Sequence, residues 1–192
     1  MGRWEPNARG RLAKAALELY GELGYEQTTV AEIAKRAGLT ERTFFRHYAD
    51  KREVLFDGSS ALQELFATAV AEAPKSVAPI DAMMAGLEAI STAFDGRREH
   101  SRRRQAVIVA NAELRERELI KLASMSTALA DALRRRGVAE PTASLTAEAG
   151  IAVFKVGFEL WLMAPEEREM GQLMRESLAE LRAVTAHGYA IP

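Results

Sequence analysis

Residues 28–48 read TTVAEIAKRAGLTERTFFRHY, and this stretch predicts two short helices joined by a tight turn. Thr29 and Glu32 stand three positions apart at the start of an apolar pattern, which is the spacing of a capping box. Gly38 can adopt the positive φ that ends a helix, and Thr40 can cap the amino end of the next helix. The segment therefore predicts a helix-turn-helix, a motif whose second helix enters the major groove of DNA.

The second of these helices has two chemically different sides. With about 100° between successive residues, Phe44 and Tyr48 fall together on one side, where they can pack on the preceding helix. Arg42 and Arg46 fall on the opposite side, one turn apart. The pattern predicts a buried aromatic face and an outward arginine face.

Thr43 and Phe45 flank the two arginines. Arginine can bond guanine through two N–H groups, and threonine can touch the methyl group of thymine. The alternative is a solvated helix face on which Arg42 and Arg46 are merely neighbours. Two like charges at that spacing are mildly unfavourable in an isolated helix, so local stability does not account for them. We therefore predict that this face contacts DNA.

The same stretch, continued by Lys51 and the apolar residues 54–56, resembles the DNA-binding signature of the TetR family of bacterial regulators. The likeness covers about residues 9–56. It implies a three-helix DNA-binding domain joined to a larger helical domain that dimerises and holds a small-molecule inducer. It also implies DNA-contacting roles for Thr29, Thr40, Arg42, Thr43, Phe45, Arg46, His47, Tyr48 and Lys51.

Within that set, the resemblance implies that Thr29 caps its helix near a phosphate and that His47, Tyr48 and Lys51 lie on the phosphate side. A packed histidine is the alternative for His47. The family often has tyrosine where this chain has Phe45. A phosphate hydrogen bond from that hydroxyl is therefore absent, and Phe45 can make an apolar contact with DNA instead.

The whole chain predicts an all-α fold of about nine helices, because apolar residues recur at three- and four-residue steps and no alternating strand pattern occurs. We expect a helix-turn-helix DNA-binding domain over residues 1–50 and a helical ligand-binding and dimerisation domain over residues 51–192. The expected helices are Asn7–Leu23, Val30–Ala37, Glu41–Tyr48, Asp50–Ala73, Ile80–Phe94, His100–Asn111, Arg115–Arg136, Pro141–Ala164 and Glu166–Ala186.

The predicted helix over residues 141–164 is apolar on more than one side, which indicates burial both in its own core and against another surface. The last helix carries a matching apolar stripe. A two-fold dimer through these two helices is the simplest interpretation, and the family resemblance agrees with it. The predicted interface residues are Ile151, Phe154, Leu173, Leu178 and Leu181.

Apolar and methionine-rich stripes on the middle helices can form either plain core or a ligand pocket, because thioether side chains adapt to varied apolar ligands. Members of the TetR family usually surround an inducer cavity with these helices. A faint likeness to members that sense fatty acyl-CoA adds one candidate ligand class. The predicted pocket residues are Met83, Met84, Leu87, Phe94, Asn111, Met125, Phe158 and Trp161.

Composition narrows the possible functions. The 192 residues include no cysteine, which removes disulfides and thiolate metal sites. We expect no metal, no cofactor, no membrane segment and a cytoplasmic location. Residues 1–55 carry a formal charge of +2 although the chain carries −1. The positive charge includes Arg3, Arg9 and Arg11, which can contact the DNA backbone or minor groove, although a disordered end is the alternative for Arg3. The rival function is a helical enzyme or ligand carrier with no DNA role, but the sequence contains no catalytic motif that would support an enzyme.

Overall fold

The computed structural model describes residues 7–165 and 167–186, and within them it contains α-helices, one short 3-10 turn at Glu53–Phe56 and no strand. The prediction of an all-α fold with about nine helices is confirmed. The helices are α1 (Ala8–Glu22), α2 (Val30–Arg36), α3 (Glu41–His47), α4 (Ser59–Glu72), α5 (Pro79–Thr92), α6 (Arg98–Ala110), α7 (Ala112–Arg135), α8 (Thr142–Met163) and α9 (Met170–Ala186).

Packing divides the described chain into two compact units. The first unit combines residues 7–59 with residues 99–119, and the second combines residues 60–98 with the described residues from 120 onward. Most of α6 and the first eight residues of α7 thus belong to the same unit as the helix-turn-helix. This partition differs from a division at residue 50, which considers only the order of the chain.

The first unit has its own apolar core. Helix α1 contributes one face to it, and α3 contributes the ring of Phe44. Phe44 of α3, Ile33 of α2 and Leu12 of α1 are all fully buried in the same cluster. Ile108 of α6 and Leu114 of α7 are fully buried in that cluster as well. These contacts explain why residues 99–119 pack with the N-terminal helices.

The second unit is built around α5, α8 and α9, which contact one another. Small residues permit a close approach: a Cβ on Gly86 would lie 2.4 Å from the ring of Phe66, and one on Gly150 would lie 2.4 Å from the sulfur of Met83. Arg136 donates hydrogen bonds to main-chain carbonyls at the end of α4, including that of Pro74 at 2.8 Å. The second unit therefore has a closely packed apolar core, and the cation of Arg136 caps the carboxyl end of α4.

Several helix boundaries differ from expectation, and the largest differences are the later starts of α4 and α9. The helix expected from Asp50 to Ala73 is interrupted, because Gly58 adopts a φ of +81° and Asp50 accepts hydrogen bonds from the N–H groups of Arg52 and Glu53. Such a positive φ suits glycine. The last helix begins at Met170 rather than at residue 166.

Candidate nucleic-acid interface

The amino end of α2 is fixed by the predicted capping box. The Thr29 hydroxyl accepts a hydrogen bond from the Glu32 N–H, and the Glu32 carboxylate accepts one from the Thr29 N–H at 2.8 Å. The Thr29 N–H above all, and the Thr29 hydroxyl as well, donate to the Glu32 carboxylate and so lower its pKa. Two exposed side chains thus fix the start of α2.

The turn between α2 and α3 is equally local in origin. Gly38 has a φ of +67°, and the N–H of Leu39 donates to the carbonyl of Ala34 at 2.8 Å. Thr40 then caps α3 by accepting from the N–H of Thr43 at 3.2 Å. The two hydroxyl oxygens of these threonines lie 3.1 Å apart. The turn and the cap together fix the direction of α3 relative to α2.

The two sides of α3 differ as the sequence predicts. Phe44 is fully buried, whereas Phe45 keeps 56% of its surface exposed. Arg42 and Arg46 are exposed and make no ion pair or hydrogen bond with the described part of the chain. Thr43 is half-buried. The outward surface of α3, defined by Arg42, Phe45 and Arg46, is therefore free to contact another molecule.

Lys51 lies in a different environment from these arginines. Its ammonium donates to the carbonyls of Tyr25, Glu26 and Thr28, at 2.8, 3.2 and 3.0 Å, and it lies 4.4 Å from the centre of the Tyr25 ring. All three of its donors are thus used by the loop before α2. Lys51, which the resemblance places near phosphates, thus holds this loop in the structure.

Two other residues predicted on the phosphate side also face inward. Tyr48 is buried, and its hydroxyl donates to the carbonyl of Arg9 at 3.1 Å. Burial raises the pKa of the Tyr48 hydroxyl. The Nε2 atom of His47 is buried without a hydrogen-bond partner among the described residues. The packed alternative for His47 therefore matches its position.

Of the three basic residues predicted to contact DNA near the amino end, Arg9 and Arg11 lie in the first turns of α1. The guanidinium of Arg9 forms an ion pair with Asp57 and lies over the ring of Tyr48, 5.5 Å from its centre. Arg11 is half-buried. Arg3 lies outside the described residues. In this structure Arg9 is thus held against the first unit.

Residues 99–119 supply contacts that sequence reasoning missed. Arg104 donates from Nε to the carbonyl of Leu55 at 2.6 Å and lies 5.1 Å from the centre of the Phe56 ring. Burial lowers the pKa of its guanidinium, and Glu118 lies 3.5 Å away. Tyr25 donates to the carboxylate of Glu113. No local pattern reveals such pairs, because the partners are far apart in sequence.

The predicted ligand-pocket residues, with one exception, lie in the second unit. Met83 and Leu87 are fully buried in its core. Phe94, Phe158 and Trp161 form a cluster with ring centres 5.5–5.9 Å apart. The other members there are Met84, which is half-buried, and Met125, which is buried. The structure brings these residues together in one apolar cluster.

The exception is Asn111, which belongs to the first unit. Its amide donates to the carbonyl of Val107 at 2.7 Å, one turn earlier. Together with Tyr20 and Tyr25, it lines an open groove of about 400 Å³. Asn111 is therefore not grouped with the aromatic cluster of the second unit.

The predicted dimer-interface residues take up positions inside a single chain. Ile151 and Phe154 of α8 and Leu173 and Leu178 of α9 are buried in the core of the second unit, and Leu181 packs against it. The sequence has two apolar stripes on α8, and periodicity alone does not say which one faces outward. The large apolar side chains exposed on α8 are Leu145, Val156, Leu160 and Met163.

Among the described residues, no group of three or more His, Asp or Glu side chains is placed to hold a metal ion. Within the same residues, no helix combines the length and apolar character needed to cross a membrane.

Comparisons with known proteins agree with this architecture. The family model described as bacterial regulatory proteins of the tetR family matches residues 12–57, and the model described as the MftR C-terminal domain matches residues 77–186. The regulator TcmR of Streptomyces glaucescens is 42% identical over 82 residues, which cover 43% of this chain but only 36% of TcmR. MftR of Mycobacterium tuberculosis, named as a regulator of mycofactocin biosynthesis, is 27% identical over 74% of this chain and 72% of its own length.

Solved structures show the same fold at lower sequence identity. The repressor FadR of Thermus thermophilus, solved with lauroyl-CoA, gives a TM-score of 0.58 at 22% identity, covering 96% of this chain and 98% of FadR. A complex of SmeT with triclosan gives a TM-score of 0.66 at 19% identity, covering 92% and 90%. SmeT is the repressor of a multidrug efflux pump of Stenotrophomonas maltophilia. The helix-turn-helix, the second helical unit and the two family matches establish that this chain belongs to the TetR family of bacterial transcriptional regulators.

Proposed function

We propose that this regulator is a ligand-responsive repressor that binds a near-palindromic operator as a homodimer in the cytoplasm. The observation that carries the proposal is the outward surface of α3, where Arg42 and Arg46 are exposed and unpaired beside Phe45. Arginine recognises guanine by a bidentate hydrogen bond in the major groove. Phe44, on the opposite side, anchors the helix in the core.

The remaining predicted DNA residues divide into two groups by their positions. Thr29 and Thr40 are exposed caps at the amino ends of α2 and α3, where main-chain N–H groups favour a nearby phosphate. His47, Tyr48 and Lys51 face inward. We assign these three a supporting role, in which they hold the reading surface rather than contact the phosphates.

Exposed apolar side chains on α8 support the homodimer. Leu145, Val156, Leu160 and Met163 are 42–75% exposed on the helix whose other face fills the core of the second unit. A contiguous apolar surface is typical of a protein interface. A two-fold interface pairs the same surface on both chains, and it would place two recognition helices on half-sites about one helical turn, or a multiple of it, apart.

A small, largely apolar inducer is the ligand class that the second unit favours. Its candidate site is lined by methionine, phenylalanine and tryptophan side chains, which adapt to apolar molecules. The structural relatives FadR and SmeT were solved with lauroyl-CoA and with triclosan, so an acyl-CoA-like ligand and a small aromatic ligand are the two classes to compare. Either would release DNA by binding better to a conformer with lower operator affinity.

One experiment in two steps tests the proposal. Wild-type protein selects DNA from a random double-stranded pool at moderate salt, and a chain carrying both Arg42→Ala and Arg46→Ala is the matched control. We expect the wild type to enrich a near-palindromic sequence and the control to enrich none. Lauroyl-CoA and triclosan are then added to the complex, and release by either supports the inducer class. Failure of the wild type to enrich any sequence would overturn the DNA-binding proposal, because salt-sensitive nonspecific binding carries no sequence information.

A further inference from the structure

Phe45 is unusual among the side chains of α2 and α3. Of the large apolar residues in these two helices, which the structure describes in full, it alone is mostly exposed. The core position of α3 is already taken by Phe44, which is fully buried. Phe45 therefore contributes little to the core, and its role lies on the outward surface of α3.

The ring of Phe45 is held in place before any partner arrives. It meets the ring of Phe44 edge to face, with ring centres 5.5 Å apart and planes at 82°. Because Phe44 is fully buried, this contact restrains the exposed ring. A side chain ordered in advance loses less conformational entropy on binding. Phe45 is thus an apolar group that rests on a buried ring and lies between two exposed charged side chains.

The chemistry of the ring limits what it can recognise. Phenylalanine has no hydrogen-bond donor or acceptor, so it cannot bond to a phosphate or to the polar edge of a base. In the major groove, the apolar group that a base pair presents is the C5 methyl of thymine. Thr43 is the neighbouring candidate for a methyl contact, but it is half-buried and its hydroxyl lies 3.1 Å from that of Thr40.

We propose that Phe45 selects a thymine in each operator half-site by packing its exposed ring on the C5 methyl group. This inference rests on the proposed function, because it needs α3 to lie in the major groove. It adds a specificity that the arginines do not supply, since Arg42 and Arg46 read hydrogen-bond acceptors while Phe45 reads an apolar group. The half-site should therefore pair a guanine with a nearby thymine.

The test replaces thymine by deoxyuridine, which removes the methyl group and leaves the base pair intact. Each thymine of one half-site in the selected operator is replaced in turn, and the dissociation constant is measured. We expect one position at which wild-type protein binds about fourfold more weakly, the effect that follows from burying one methyl group. A cytosine placed there should bind more tightly when it carries a 5-methyl group.

Variants of the chain assign the effect to the ring. Phe45→Ala should bind the thymine and deoxyuridine operators equally, whereas Phe45→Leu should keep part of the preference. Leu23→Ala removes another exposed apolar side chain of the first unit and should leave the wild-type preference unchanged. Because Phe45 is exposed, its variants should unfold at the wild-type temperature.

Three outcomes overturn the inference. Tight, sequence-specific binding with no loss at any deoxyuridine position removes the methyl contact and leaves the proposed function standing. A selected half-site without thymine likewise removes the methyl contact and leaves the proposed function standing. Failure to enrich any DNA overturns both the proposed function and the role of Phe45.

Discussion

Helices α3 and α8 are each buried on one face and exposed on the other, but their exposed faces differ in kind. The outward face of α3 carries Arg42 and Arg46, whereas that of α8 carries Val156 and Leu160. The inward faces are alike, since both insert aromatic rings into an apolar core. The inward face thus shows how each helix is held in its core, whereas the outward face, charged on α3 and apolar on α8, indicates what kind of partner the helix suits.

The largest effect should follow from a change to the inward face of α3. Phe44→Ala removes a fully buried ring and should lower the free energy of unfolding by about 3–5 kcal/mol. Phe45→Ala, one residue further, should change it by less than about 0.5 kcal/mol. Denaturant unfolding of both variants measures the difference. Equal losses would show that the two faces of α3 are not distinct.

The outward face of α8 should govern assembly rather than folding. Val156→Glu combined with Leu160→Glu places charges on the exposed apolar surface and should weaken a dimer by roughly 3 kcal/mol, about a hundredfold. Leu65→Glu changes another partly exposed leucine of the second unit and is the matched control. Sedimentation at micromolar concentration separates dimer from monomer. A doubly substituted chain that remains dimeric would place the interface elsewhere.

The outward face of α3 should govern DNA affinity without affecting folding. Arg46→Ala should weaken operator binding by about 1–3 kcal/mol and alter the preferred base at one position. Arg103→Ala removes an exposed arginine of the same unit, and we expect it to leave operator affinity unchanged. Competition among single-base operator variants is the measurement. A uniform loss over all sequences would instead make Arg46 a phosphate contact.

Lys51 distinguishes an inward cation from the outward ones. Lys51→Met leaves the carbonyls of Tyr25, Glu26 and Thr28 without this donor and should cost about 1–2 kcal/mol of stability. The dependence of the logarithm of operator affinity on the logarithm of salt concentration should stay as in the wild type. Loss of a phosphate contact would reduce that slope by about 1, and this result would return Lys51 to the DNA surface.

The smallest effect concerns Glu32, whose pKa is lowered mainly by the hydrogen bond from the Thr29 main chain. A carboxylate with a lowered pKa in the folded state stabilises the protein above the pKa of the unfolded chain, and this contribution is lost as pH falls through the lower folded value. Below about pH 4.5, wild-type stability should therefore fall more steeply than that of Glu32→Gln. Thermal unfolding over this range compares them, and parallel curves would contradict the prediction.

The difference between α3 and α8 also shows which structural features can be predicted from the sequence. The boundaries of α2 and α3 follow from neighbours a few residues apart, such as Thr29 with Glu32 and Thr40 with Thr43, so local patterns suffice. On α8, Phe154 and Val156 are both apolar, and only the packing of α5 and α9 decides which is buried.

Long-range polar contacts have no local signal at all. The bond from Lys51 to the carbonyl of Tyr25 joins residues 26 positions apart, and that from Arg104 to Leu55 joins residues 49 positions apart. From sequence alone, a basic residue in a DNA-binding segment predicts a phosphate contact. Only the fold reveals that a main-chain carbonyl distant in sequence lies within hydrogen-bond distance of it.

The aromatic cluster of the second unit also provides an optical reporter. Trp161 is buried there, and the guanidinium of Arg98 lies 5.1 Å from the centre of its ring. The sequence contains two tryptophans, so Trp4→Phe leaves Trp161 as the sole source of tryptophan fluorescence. A molecule that enters beside Phe94 and Phe158 changes the polarity around the indole and shifts its emission. Candidate inducers can thus be ranked on the unlabelled protein before any operator is known.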